Sequence, residues 1–152
     1  MQWNSQENSL FYIFQVKGTG APIIWVLGGP GCGKGTQCSR IVSKYSFSHF
    51  STGDLLREEV QSGSDKGKEL QEMMSKGVLV SNEIVLKLLE AAMSKVSDTP
   101  GFLIDGYPRE PAQGPEFEKI IAPVDIILYF ECTDVWFSGL SNLKLINTSI
   151  FF

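Results

Sequence analysis

Ile23-Ile24-Trp25-Val26-Leu27 runs directly into Gly28-Gly29-Pro30-Gly31-Cys32-Gly33-Lys34-Gly35-Thr36, and the reading of this stretch decides the fold. A continuous apolar run, without alternation, describes a strand covered on both faces, as in a parallel sheet. The glycines after it let the backbone wrap closely, with successive N–H groups turned inward as a cradle for phosphate. From Thr36 to Lys44, Cys38, Ile41 and Val42 recur at helical spacing, so the cradle opens onto a helix N-terminus, where an anion is favoured. Lys34 adds a mobile full charge for the β- and γ-phosphates of a nucleotide. A turn that merely links strand to helix needs one or two glycines, whereas five glycines and a lysine stand here. The residue after the lysine is Gly35, and the hydroxyl arrives one place later at Thr36. A magnesium ion at this loop is therefore expected to depend on phosphate oxygens and water more than on a direct hydroxyl ligand.

Outward from the loop, apolar runs and helical patterns alternate. A short strand is expected at Ser48-His49-Phe50-Ser51, followed by helices at residues 54–61 and 66–76, with Ser64 as a cap for the second. A third helix, capped by Ser81 or Asn82, carries Ile84, Val85, Leu88, Leu89, Ala92 and Met93 on one face. Phe102-Leu103-Ile104 and residues 125–130 read as two further buried strands, separated by a proline-punctuated helix around residues 116–121. Strands alternating with helices predict an α/β sheet with right-handed crossovers.

The bulk properties agree with a single globular unit. The chain has 152 residues and a formal net charge of −4, long enough to bury about 70 % of its unfolded surface. It is mildly acidic and has no basic block, which argues against nucleic-acid or membrane-surface binding. The apolar run Leu10 to Phe14 is too short to span a bilayer and lacks the basic lead of a signal peptide. Cys32, Cys38 and Cys132 show no metal-ligand spacing, and a reduced, cytoplasmic compartment is expected. The lone histidine, His49, reads as structural, Trp25 as packing, and Asn147-Thr148-Ser149 as a coincidental sequon.

Gly28 to Gln37 resembles the GGPGxGKGTQ phosphate loop of the adenylate kinases within the nucleoside monophosphate kinases. Ser51-Thr52-Gly53-Asp54-Leu55-Leu56-Arg57 and Asp105-Gly106-Tyr107-Pro108-Arg109 agree with that family in order and spacing. The resemblance covers roughly residues 21–132 and is greatest to the short, cytosolic, muscle-type animal enzymes. It implies a three-layer P-loop NTPase-type parallel sheet with flanking helices, and a nucleoside-monophosphate-binding insertion at about residues 51–80. It implies transfer of the γ-phosphoryl of Mg·ATP to AMP, ATP and AMP as partners, and a monomer.

Residue by residue, the resemblance assigns Gly31, Cys32, Gly33, Lys34, Gly35 and Thr36 to the ATP phosphates, with Lys34 and Arg109 catalytic. Thr52, Arg57, Val78, Leu79, Val80, Gly106, Tyr107, Pro108, Arg109 and Gln113 are assigned to AMP. Thr52 favours AMP, because pyrimidine-preferring relatives usually carry alanine there, and Gln113 corresponds to the residue that reads adenine. Asp105, at the C-terminal end of an apolar strand, is expected to orient magnesium through water. Read without the family, Arg57 is equally a surface arginine paired with Glu58 or Glu59. Cys32 stands at a loop position that the family varies freely, which implies a spacer with incidental reactivity.

Residues 1–20 read as a flexible lead-in. Past Cys132 the resemblance stops. Residues 133–152 stand where the family places its arginine-bearing lid, its long helices and its last strand, and they read as a truncated or alternatively spliced tail. The chain holds three arginines, Arg40, Arg57 and Arg109, and none follows residue 109. An arginine at such a transition state contributes about 10³–10⁵ in rate, and Lys144 lacks its bidentate fork. Activity depressed by several orders of magnitude is expected, with a non-catalytic nucleotide-binding fragment and a UMP/CMP kinase as alternatives. The sheet is also expected to be incomplete at the C-terminus, with an apolar edge left open unless the tail covers it; Leu143 to Ile150 is the segment that could dock there, against the odds. The tail is near the minimum of about a dozen residues for a parallel crossover.

Overall fold

The structure, a computed structural model, describes residues 20–131 and the strand at 142–147. Five strands, β1 (Ile23–Gly28), β2 (Ser48–Ser51), β3 (Phe102–Asp105), β4 (Ile126–Glu131) and β5 (Asn142–Asn147), form one sheet in the order β2-β3-β1-β4-β5. The first four run parallel, with Ile23 beside Phe102 and Ile24 beside Ile126. The helices are α1 (Lys34–Tyr45), α2 (Thr52–Gln61), α3 (Asp65–Ser75), α4 (Asn82–Met93) and α5 (Gln113–Ile120).

The unbroken run in β1 has the expected cause, burial on both faces. Ile23 and Trp25 pack with Leu86, Leu89 and Met93 of α4 and Phe117 of α5. Ile24 and Val26 face the other way, onto Cys38, Ile41 and Val42 of α1. Trp25 meets the Tyr107 and Phe117 rings edge-on, at centroid separations of 5.9 and 5.3 Å, an arrangement favoured by the ring quadrupoles. A separate small cluster, Leu56, Leu70 and Val80, ties α2 and α3 to the segment before α4.

Helix starts differ from the sequence reading for local reasons. α1 begins at Lys34 because Gly33, at φ 84°, completes the loop in the left-handed region and lets the helix start at once. α2 begins at Thr52, with Ser51 Oγ accepting from the Asp54 N–H, and Ser64 caps α3 by accepting from the Gly67 N–H. α5 begins at Gln113 because Pro115 falls in its first turn, where a missing N–H costs nothing.

At the edge of β4 the disfavoured alternative holds, and the tail covers the sheet. β5 pairs with β4 antiparallel, from Ile126 opposite Asn147 to Glu131 opposite Asn142. Reversal of direction removes the need for a crossover, so the link from residue 132 to 141 suffices. The expectations for residues 1–19, Cys132, residues 133–141, the Lys144 side chain and Thr148-Ser149 lie outside the described residues.

Candidate active site

The phosphate loop is shaped by positions that admit no side chain. At Gly28 (φ 144°) a Cβ would lie 2.4 Å from the Phe130 carbonyl oxygen and 2.8 Å from Cys32 Sγ. Gly31 and Gly33 hold φ values of 77° and 84°, both left-handed. The Lys34 ammonium folds over the loop, donating to the Gly28 carbonyl at 2.7 Å and the Gly29 carbonyl at 2.8 Å. The Cys32 side chain corrects the reading of an incidentally reactive spacer. It is 2 % exposed and packs with Val26, Cys38 and Phe130, so only its backbone is available to a ligand.

In front of the loop lies an open cleft of about 740 Å³, lined among others by Gly28, Lys34, Thr52, Asp105, Gly106 and Arg109. Asp105 ends β3 beside Ser51 of β2. Its Oδ1 is buried without a hydrogen-bond partner among the described residues. An unpaired buried carboxylate oxygen is costly, and it has the donor chemistry that a hydrated magnesium ion takes. The residues present therefore fit that ion.

A second, smaller pocket opens beside the cleft, lined by Thr52, Leu56, Leu79, Val80, Val85, Gly106, Tyr107, Arg109 and Gln113. Thr52, buried at the start of α2, donates from Oγ1 to the Gly106 carbonyl at 3.1 Å. The match is tight: a Cβ on Gly106, itself at φ 81°, would come within 2.9 Å of that oxygen. Gln113, also buried, accepts the Arg109 N–H on Oε1 at 2.8 Å. The Tyr107 hydroxyl is shared between the Gln113 carbonyl at 2.8 Å and Asn82 Oδ1 at 2.9 Å. Burial, above all, pushes the Tyr107 phenol up to about 12.

Gathered at the cleft and pocket are Lys34, Thr52, Leu79, Val80, Asp105, Gly106, Tyr107, Pro108, Arg109 and Gln113. Arg57 and Val78 line neither. The Arg57 guanidinium is paired with Asp54, one turn before it on α2, and not with Glu58 or Glu59. Its hydrogen bond, first of all, holds the Asp54 carboxyl below its usual range. Val78 is 55 % exposed. Of residues 31–36 only Lys34 lines the cleft, joined by Gly28 and Pro30 from the start of the loop, while Gly31, Cys32, Gly33, Gly35 and Thr36 line neither cavity. Sequence reading missed Leu56 and Val85, which wall the small pocket. The signal for Leu56 was available, since it follows Thr52 by four on one helix and so shares its face.

Three groups that lie far apart in sequence also meet, Asp105 among them. Ligand atoms of Cys38, His49 and Asp105 lie within 4.8 Å of one another. Their separation in sequence hid the cluster, because it is assembled from α1, β2 and β3. Cys38 is fully buried, and burial, foremost, with the nearby Asp105 charge pushes its thiol up to about 12.

A four-stranded parallel core with a glycine-lysine loop between β1 and α1 defines a P-loop α/β protein. Residues 26–139 match the family model of adenylate kinase, and the chain belongs to the adenylate kinase family. It is 63 % identical over 114 residues to adenylate kinase 1 of Drosophila melanogaster, covering 74 % of this chain and 50 % of that protein. Adenylate kinase isoenzyme 1 of Gallus gallus is 61 % identical over 110 residues, covering 72 % of this chain and 57 % of the relative. The Homo sapiens isoenzyme 1 is 59 % identical over 110 residues, with the same coverages, 72 % and 57 %. The chain thus spans about half the length of the curated relatives it matches. Among the described residues no helix is long and apolar enough to cross a membrane.

Proposed function

We propose that this chain carries the donor and acceptor sites of an ATP:AMP phosphotransferase. One observation carries the reading: the cleft at the phosphate loop and the small pocket share Thr52, Gly106 and Arg109 as a common wall. Phosphate groups held in two cavities that adjoin along these shared residues can meet end to end for direct transfer, which needs positioning and charge neutralisation rather than a covalent enzyme intermediate.

In this reading Lys34 leaves the Gly28 and Gly29 carbonyls and moves onto the donor phosphates, which also meet the inward loop N–H groups at the α1 terminus. Arg109 holds the acceptor phosphate, while Arg57 joins it on leaving Asp54. Adenine enters the small pocket against Thr52, Val80 and Gln113, where buried polar groups reject a base that fails to pair with them. Asp105, whose Oδ1 has no hydrogen-bond partner among the described residues, would hold the water shell of magnesium, and that ion would supply charge neutralisation on the transferring phosphate. The names of the relatives support the same substrates, and a monomeric, cytoplasmic enzyme is the corresponding expectation.

For the 152-residue chain by itself, turnover is expected to fall several orders of magnitude below that of a full-length relative, because Arg57 and Arg109 are its only arginines near the acceptor. The test is direct product analysis with ATP, AMP and magnesium, with Lys34→Ala purified and run in parallel. ADP from the unaltered chain alone supports the reading. Equal product from both leaves a nucleotide-binding remnant. Faster use of CMP or UMP than AMP overturns the assignment of the small pocket.

A further inference from the structure

We propose that Cys38, His49 and Asp105 form a binding site for a thiophilic divalent cation of the zinc class, on the face of the sheet covered by α1. The geometry follows from register. His49 pairs with Leu103 and Ser51 with Asp105 across β2 and β3, so alternation puts His49 and Asp105 along the same side of neighbouring strands. α1 covers that side, and Cys38 is buried there with Leu103. The three ligand atoms lie within 4.8 Å of one another. A tetrahedral zinc ion, with metal–ligand bonds near 2.0–2.3 Å, holds its ligands roughly 3.5 Å apart, so closure needs shifts of about 1 Å.

A second observation concerns the same carboxylate. Asp105 Oδ1 is buried and has no hydrogen-bond partner among the described residues, leaving an oxygen with unmet bonding capacity. A dication there satisfies it. His49 is exposed, which supplies an entry path and leaves a fourth position for water. Sulfur and imidazole select zinc, cobalt or copper over magnesium. The Cys38 thiol gives up its proton to solvent as the metal–sulfur bond forms, which a coordinated thiol does outright. Bound metal ties α1, β2 and β3 together. Asp105 also serves in the proposed transfer reaction, so an ion bound here competes with that role, and the site is therefore read by metal binding and not by turnover.

Titration of the full chain with Co²⁺, then displacement by Zn²⁺, tests the proposal. One equivalent is expected, with a thiolate-to-cobalt charge-transfer band and a rise in melting temperature on adding zinc. Cys38→Ser removes the band and Cys132→Ser leaves it unchanged. His49→Gln, at an exposed position that does not endanger folding, weakens binding at least about tenfold, the lower end of what even outer-shell losses cost. Absence of the band in the folded chain, its loss in Cys132→Ser, or unchanged affinity in His49→Gln overturns the site.

Discussion

The phosphate loop and the small pocket beside it are built by opposite means. The loop is made of backbone: glycines at positive φ, a carbonyl against which Gly28 leaves no room, and a helix terminus. The small pocket is made of side chains, with Thr52, Leu56, Val85, Tyr107 and Gln113 drawn from α2, α4, the segment after β3 and α5. A backbone site reads a phosphate, which is the same in every nucleotide, and tolerates little change at its glycines. A side-chain site distinguishes one base from another, and each of its walls is separately adjustable.

The largest break in this contrast is expected at Lys34, the one side chain the loop depends on. Lys34→Ala should lower product formation by about 10²–10³-fold, the cost of losing one preorganised charge-stabilising group. Its urea midpoint should barely move, because the ammonium bonds are at the partly exposed loop surface.

Gly28→Ala should do the reverse and act through folding. A Cβ 2.4 Å from the Phe130 carbonyl, at φ 144°, demands a shift of β1 against β4. A loss of about 3 kcal/mol is expected from overpacking and strain together, measured by chemical denaturation.

On the other side of the wall, Gln113→Ala strands the Arg109 N–H and should cost about 1–3 kcal/mol. Calorimetry should show AMP binding weakened while ATP binding is kept; equal losses for both would dissolve the distinction between the two sites.

Tyr107→Phe is the mildest, about 1 kcal/mol for the lost hydroxyl bonds, but it sharpens the comparison through pH. The phenol's folded pKa lies above its ordinary 10.0, at about 12, so the stability it contributes is complete below pH 10 and lost as pH rises towards 12. Cys38, raised from 9.0 to about 12, has the same sign and begins to weaken the fold nearer pH 9. A melting temperature followed from pH 8 upward should therefore fall in the unaltered chain, and fall less above pH 10 in Tyr107→Phe.

Much of this was legible along the chain because it rests on local rules. Residues 23–36 specify a strand, a turn and a helix start within one stretch, so the loop needed no knowledge of distant contacts. Ser64 was readable as a helix start for the same reason, since a cap bonds only three residues ahead, whereas Ser51 read only as the end of a strand. The partner of Arg57 was not readable: Asp54, Glu58 and Glu59 all lie near it on α2, and geometry selected Asp54.

By itself the sequence determined the parallel α/β order, the phosphate loop and the family, because periodicity, glycine placement and short motifs are properties of neighbours. Tertiary structure alone decided the rest. It buried the Cys32 thiol, walled the small pocket with Leu56 and Val85, and turned β5 antiparallel against β4. It also drew Cys38, His49 and Asp105 together from α1, β2 and β3. Those outcomes depend on register and on which faces meet, and neither is fixed until the sheet is assembled.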